Sequence, residues 1–497
     1  MMHNAERLPG DPVRNIAEQL SLHARHRPSR IAVQQGETRI SYLELDRAVR
    51  QRAAALLDRG VRPGDLVGVA LDDSIEHLLT LWALARAGAV ILPFDCRWLA
   101  LEKERLAAHF EPAVVLVEPG MAFAGVPCLE IDETWQRQVR AASPEREFAD
   151  GDRGLVLSLS SGTTGRPKGP MVSHHKFASR FWTHFIDLGF GSRETYLNAT
   201  PLYFGGGRSF CMSTLYAGGT VVLLAPPYTP AELAHEVERS SASVLFLVPT
   251  LLRRLLGCEG DELLPFRRLK VLVSSGSALA AEERAQIRAR ICPNFVEFYS
   301  STEGGGITVL SPDDQRERPG SVGRAVFGVS LQVVGETHQP LAAGEIGRIR
   351  YRGAAVADGF HRDPEASAEA FREGWYYPGD LGALDDDGFL YLKGRAKDMI
   401  IRGGINIHPQ DIEAVLLEHA GVADAAVVGW PSVEFNEEVA AFVVVRGAVD
   451  PQALREHCRS RLAPYKVPRE VFLVEELPKN SLGKVVKSEL CARLPAL

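Results

Sequence analysis

The chain has 497 residues, 45% hydrophobic and 24% charged, the make-up of a soluble globular protein too long for one compact core, so two or more domains are expected. Its net charge of −7 comes without a basic block, which removes the electrostatic case for nucleic acid or an acidic membrane as partner. The first residues lack the apolar core of a secretion signal, no stretch reaches the length of a membrane span, and the seven cysteines are scattered with no Cys-x-x-Cys pair. A cytoplasmic location, with neither zinc ligation nor a disulfide framework, is the expectation.

In chain order, Tyr42 to Arg59 reads as an amphipathic helix closed by Gly60. Continuous apolar runs follow at Leu66–Leu71, Ala89–Leu92, Ala113–Val117, Gly154–Leu159, Val221–Leu224, Val244–Val248 and Val271–Val273. Such runs, separated by helical stretches, predict parallel strands covered on both faces. After Pro319 shorter, glycine-rich alternating strands such as Gly347–Gly353 predict an antiparallel, barrel-like subdomain. The texture changes again near Gly394–Asp398. Beyond it come a helix over Pro409–Glu418, strands over Ala425–Val428 and Ala440–Val445, and a helix over Pro451–Arg461. The predicted class is α/β: a large N-terminal domain of two parallel-type sheets with helices and a small β-barrel subdomain, then a small α+β domain.

The apolar run at Gly154–Leu159 leads into Ser160-Ser161-Gly162-Thr163-Thr164-Gly165-Arg166-Pro167-Lys168-Gly169, where four hydroxyls, three glycines and two cations share one loop. Glycines let backbone N–H groups approach a ligand, and hydroxyls, N–H donors and cations together suit a polyphosphate. The loop is not a Walker A sequence, which needs Gly before the Lys and Ser or Thr after it; here Pro167 precedes Lys168 and Gly169 follows.

Five further segments carry chemistry. Tyr299-Ser300-Ser301-Thr302-Glu303 follows the strand-like Phe295–Phe298; a Thr hydroxyl can hold a phosphate oxygen and a Glu can hold Mg²⁺. Ser275-Gly276-Ser277-Ala278-Leu279 is a turn after another strand. In Trp375-Tyr376-Tyr377-Pro378-Gly379-Asp380 the carboxylate can accept two hydrogen bonds from a ribose diol, and Arg395 supplies a permanent charge with a donor fork. The segments Gly394 to Glu413 and Leu477-Pro478-Lys479-Asn480-Ser481-Leu482-Gly483-Lys484 complete the set.

Together, and in this order, these segments resemble the adenylate-forming superfamily: acyl- and aryl-CoA synthetases, adenylation domains of peptide synthetases, and beetle luciferases. The likeness covers nearly the whole chain. It implies that Ser161, Gly162, Thr163, Thr164, Gly165 and Lys168 cradle the phosphates of ATP. Gly276, Ser277, Ala278, Glu297 and Tyr299 would surround the adenine, and Asp380 and Arg395 would hold the ribose. Thr302 and Glu303 would take the α-phosphate and Mg²⁺, and Lys484 would be the catalytic lysine. It implies residues 1–395 as the nucleotide- and acyl-binding domain, a hinge at 396–398 with Lys397 at its pivot, and 399–497 as a mobile domain that presents Gly403 and Gly404 to a thiol channel.

The reaction implied is ATP-dependent activation of a carboxylic acid to an acyl-adenylate, followed by transfer to the thiol of coenzyme A. With only thirteen residues after Lys484, the thiol is expected to come from a separate molecule, and a carrier-protein thiol is the alternative to coenzyme A. A luciferase-like oxygenase and a silent nucleotide-binding protein are more distant readings. The acyl pocket is expected around Phe204, Gly205, Gly206, Ser300 and Gly304. Ser300 replaces the family's usual Gly, and Phe204 stands where many acyl-CoA synthetases have His. Gly205 stands where amino-acid-activating relatives place an Asp, which argues against an amino-acid substrate. Two readings of Gly205–Gly207 and Gly304–Gly306 stay open, room for a long or ring-shaped acyl group and simple turns. Arg208 is read either as a site for a second acidic group or as a structural, ion-paired residue. The oligomeric state is not legible.

Overall fold

The computed structural model describes residues 15–146, 148, 153–159, 168–258, 260–402, 405–432, 435–479 and 484–495. Its largest sheet has nine strands. From one edge to the other these are Arg324–Ala325, Gly305–Leu310, Phe295–Ser301, Val271–Ser274, Val244–Phe246, Thr195–Asn198, Thr220–Leu223, Ile31–Gln35 and Thr38–Ser41. The six from Phe295–Ser301 to Ile31–Gln35 run parallel, and only the edge strands are antiparallel. A second, six-stranded sheet orders Cys128–Glu130, Val114–Val117, Leu66–Ala70, Val90–Pro93, Gly154–Leu157 and Met171–Ser173, antiparallel only at the last pair. The continuous apolar runs are these parallel strands: Val67, Val69, Ile91, Leu116, Val221, Val244 and Leu272 are buried because helices cover both sheet faces.

Several helices begin where a side chain satisfies their free N–H groups. Ser41 caps Tyr42–Asp58, with Glu44 closing a capping box, and Gly60 turns the chain away at φ +90°. Inside that helix Arg52 pairs with Glu76 of Ile75–Ala87, joining two helices that pack on the same core.

The glycine-rich region forms a six-stranded antiparallel sheet with Gly347–Arg352 as its hub. That strand pairs with Ser330–Val334, Trp375–Tyr376 and Asp380–Leu384. The last strand, Leu390–Arg395, is followed by one 3₁₀ turn, Ala396–Asp398, and then by Ile400–Arg402, which belongs to another sheet. This C-terminal sheet has Asn436–Val445 at its centre. It is flanked by Val422–Ser432 and Glu470–Leu473 and covered by the helices Pro409–Leu417 and Pro451–Arg459. Val422–Ser432 is much longer than the Ala425–Val428 core visible in the sequence, because its ends also pair with the neighbouring strand from Val445 to Asn436, with a register shift between Val422 and Asp424.

Candidate active site

The functional segments leave the carboxyl ends of parallel strands, where open α/β sheets place their ligands. Gly154–Leu157 leads to the hydroxyl-rich loop, Thr195–Asn198 to Phe204, Val271–Ser274 to Gly276, and Phe295–Ser301 to Thr302 and Glu303. Of that loop, Ser161, Gly162, Thr163, Thr164 and Gly165 lie outside the described residues. The loop's far end is held close to its strand. A Cβ on Gly169 would come 2.3 Å from Leu157, and the Gly169 carbonyl accepts from the His361 N–H at 2.8 Å. The Lys168 ammonium lies 5.5 Å from the centre of the Phe360 ring.

Thr302 and Glu303 form a tight turn braced on all sides. The Ser301 hydroxyl lies 2.5 Å from the Tyr351 hydroxyl and accepts from the Gly304 N–H at 3.0 Å. The Ala357 N–H donates to the Glu303 carbonyl at 2.9 Å. Arg180 donates to the carbonyls of Thr302 and Glu303 at 3.1 and 3.0 Å. The Glu303 carboxylate faces the Tyr376 phenol; burial and that negative charge push the phenol's pKa well up. Tyr351 and Arg180 carry no motif of their own, and Tyr376 lies in the Asp380 motif with nothing there to point it at Glu303. Their link to the site is tertiary, so only the fold identifies them.

On the other side of the cleft the Tyr299 hydroxyl donates to one oxygen of Asp380 at 2.5 Å, and Arg395 Nε donates to the other at 3.1 Å. Asp380 and Arg395 are directly opposite each other on paired strands. Gly276 turns at φ +109°, and Ser275 and Ser300 hydroxyls meet at 3.0 Å. Ser277 and Ala278 follow in the same turn before the helix Ala281–Gln286.

The C-terminal domain brings Lys484 to this cleft. Lys484 is exposed over the residue as a whole, yet its ammonium senses burial, Arg395, Asp380 and Glu303. Burial and Arg395 hold its pKa below the ordinary lysine value, against the two carboxylates. Lys397 lies in the single 3₁₀ turn between the two domains. Gly403 and Gly404 lie outside the described residues.

Three features named in the sequence have surroundings that the sequence does not show. The carboxylate of Glu297, expected among the groups around the nucleotide, is buried against Arg284 at 2.5 Å, and Arg284 also donates to the carbonyls of Pro319 and Ser321. Arg208 holds no ion pair among the described residues. It is buried and donates to the carbonyls of Leu202 and Tyr203 and to Ser158, tying the Phe204 segment to the strand that enters the phosphate loop.

The glycines, third, are mostly filled space rather than room. A Cβ on Gly206 would meet Phe246 at 2.7 Å, on Gly207 the Thr200 and Pro201 carbonyls at 2.5 Å, on Gly304 the Tyr351 hydroxyl at 2.3 Å, and on Gly306 the Phe298 ring at 2.5 Å. Gly205 alone among them has nothing within 4 Å. Phe204 is partly buried and precedes Gly205–Ala217 as its N-cap without a side-chain cap bond.

Residues 20–361 match the profile of the AMP-binding enzyme family, and residues 411–484 that of the AMP-binding enzyme C-terminal domain. The chain is 32% identical to the feruloyl-CoA synthase of Amycolatopsis sp, an alignment covering 95% of this chain and 97% of that protein. Among solved structures, ATP-bound MatB from Rhodopseudomonas palustris is 31% identical, with a TM-score of 0.89 over 96% of this chain and 98% of that one. The O-succinylbenzoate coenzyme A synthetase of Bacillus subtilis, in complex with ATP and magnesium ion, is 26% identical, with a TM-score of 0.86 over 95% and 98% of the two chains.

Proposed function

The chain belongs to the AMP-binding enzyme family and is an AMP-forming acid–thiol ligase, and we propose how its own residues carry the two half-reactions. A carboxylic acid resists thiols because its leaving group is poor. Its carboxylate oxygen therefore attacks the α-phosphorus of ATP, the bond to the bridging oxygen of the β-phosphate breaks, and pyrophosphate leaves. The thiol sulfur then attacks the acyl carbon of the mixed anhydride, AMP departs, and the thiol proton passes to solvent.

Both partners of the first step are anions, so the site must cancel their repulsion. The observation that carries the reading is that the Lys484 ammonium lies within electrostatic range of Glu303, Asp380 and Arg395, residues 89 or more positions away in sequence. In that position the ammonium can neutralise charge shared by the carboxylate and the α-phosphate, as preorganised electrostatic stabilisation requires. The Thr302 hydroxyl would bind an α-phosphate oxygen, and Lys168 with the loop at Ser161–Gly165 would take the outer phosphates. Asp380, with an unused lone pair on each oxygen, would accept from the ribose hydroxyls while Tyr299 and Arg395 hold it in place. In this reading Tyr299 also flanks the adenine, with Gly276, Ser277 and Ala278 on the opposite side.

Magnesium fits this donor set. Glu303 is a buried carboxylate next to the phosphate site, and no cluster of three His, Cys, Asp or Glu among the described residues forms a dedicated cage. One carboxylate plus phosphate oxygens is how Mg²⁺ is usually held, and when bound it neutralises developing charge on the phosphates.

For the second step the domain of residues 399–497 would rotate about Lys397, removing Lys484 and presenting Gly403 and Gly404 to the thiol, coenzyme A. For the acid we propose an aryl-bearing carboxylic acid. Relatives named for ferulate and succinylbenzoate support it, and so do Phe204, Phe246 and Phe298 around the glycine stretches.

The test is pyrophosphate release across a panel of fatty, aryl and dicarboxylic acids, with and without coenzyme A. Thiol-independent release with an aryl acid, followed by an acyl-CoA product when coenzyme A is added, is the expected result. No release with any acid refutes adenylation by this site. Release without thioester transfers the second step to a carrier-protein thiol.

A further inference from the structure

Helix His174–Ile186 presents one face to the turn that carries Thr302 and Glu303. Lys176, Arg180 and Thr183 recur at i, i+4 and i+7, so they point the same way. Lys176 donates to the Val356 carbonyl at 2.8 Å, and Ala357, next in the chain, donates to the Glu303 carbonyl. Thr183 lies just behind Gly306, 3.4 Å from where its Cβ would be. Between them Arg180 reaches through the interior, and one of its terminal nitrogens bonds two successive carbonyls, those of Thr302 and Glu303. Gly305, at φ +73°, lies directly on its side-chain stem; a Cβ there would stand 3.0 Å from Arg180 Cγ.

This guanidinium is costly. It is buried, and no carboxylate among the described residues forms an ion pair with it; burial pushes its pKa down to about 10. An apolar residue of the same volume would fill the space without the desolvation penalty. A guanidinium instead supplies charge-assisted donors in a rigid plane. Two carbonyls aimed at one nitrogen fix two peptide planes, and with them the direction in which the Thr302 and Glu303 side chains leave the backbone. Fixing side chains to within a fraction of an ångström is what a phosphate and metal site requires.

We propose that Arg180 is a positioning residue for adenylation: it never touches substrate, but locks the Thr302–Glu303 turn so that hydroxyl and carboxylate meet magnesium–ATP together. The proposal rests on the roles given above to Thr302 and Glu303.

The experiment compares Arg180→Gln and Arg180→Lys with the wild type in the adenylation half-reaction. It measures kcat, the KM of ATP, the KM of the acid and the magnesium concentration for half-maximal rate. Arg180→Gln should raise the magnesium and ATP requirements and lower kcat, each by about tenfold, on the scale of one lost charged hydrogen-bond pair. The acid KM should stay within about twofold, because that interaction is untouched. Arg180→Lys, which keeps the charge and a donor, should recover part of the loss, and its measurement stands even where the Gln variant fails to fold.

Unchanged magnesium and ATP requirements in both variants overturn the proposal. So does a rise confined to the acid KM, or an equal fall of adenylation and of thiolysis of preformed acyl-adenylate that follows thermal stability. A wild-type enzyme that releases no pyrophosphate with any acid overturns the underlying function instead, and is told apart because no variant comparison then exists.

Discussion

The Tyr299 hydroxyl is hydrogen-bonded to Asp380 at 2.5 Å across 81 residues of sequence, linking the edge of the large parallel sheet to the antiparallel subdomain. With Arg395 on its other oxygen, Asp380 is fixed before any ribose arrives. Tyr299→Phe removes one bond to a charged acceptor, worth about 1.5–3 kcal/mol. The KM of ATP should therefore rise by roughly tenfold or more while the acid KM stays unchanged. Steady-state kinetics with ATP and acid varied in turn measure both, and an unaltered ATP KM would remove Tyr299 from the nucleotide site.

Lys484→Ala should lower adenylation by about a hundredfold or more, the scale of one preorganised donor lost at a developing charge. Thiolysis of preformed acyl-adenylate should survive, because the proposed domain rotation would remove Lys484 from the cleft for that step. Stopped-flow measurement of each half-reaction decides it, and equal losses would contradict the role.

The same lysine predicts a pH profile. Its ammonium pKa is depressed by burial and Arg395, so it is cationic below that lowered value and neutral above it. Adenylation should decline on the alkaline side through an ionisation below the usual lysine value of about 10.4, while thiolysis shows no such limb. A limb unchanged in Lys484→Arg would assign the ionisation elsewhere.

Lys397→Pro should slow thioester formation more than adenylation, because the backbone rotation placed in the Ala396–Asp398 turn would be restricted where proline fixes φ. The ratio of the two half-reaction rates is the readout, and an unchanged ratio would move the pivot away from this turn.

Glu297→Ala separates a structural carboxylate from a nucleotide ligand. It leaves the buried Arg284 cation without its partner, a loss of about 3 kcal/mol or more. The thermal midpoint should fall clearly while the KM of ATP stays within about twofold, since the carboxylate faces Arg284. A large ATP effect without loss of stability would return Glu297 to the adenine site.

The division between what was legible in the sequence and what was not follows from the range of the interactions. Val67, Ile91 and Val244 announced parallel strands because burial on both faces removes any need for alternation. The ends of Val422–Ser432 stayed hidden because Asp424, Gly429, Pro431 and Ser432 interrupt the apolar run, although ladder pairing carries the strand through them. Thr302, Glu303, Asp380 and Lys484 lie in short local motifs that survive as text. Arg180 and Tyr351 act on those motifs from 123 and 50 residues away, and nothing local marks them. Arg208 and the glycines stayed open for one reason: a cation or a missing side chain in a sequence does not say what already occupies the neighbouring space, here carbonyls and aromatic rings.

Gly205 stands apart from that crowding. It begins a helix, is exposed and has no atom within 4 Å of where its Cβ would stand, whereas its successors are wedged against an aromatic ring and two carbonyl oxygens. A methyl grafted at this one position would meet no neighbour. Descendants of this enzyme, natural or engineered, can therefore vary the residue beyond Phe204 without repacking the segment around it.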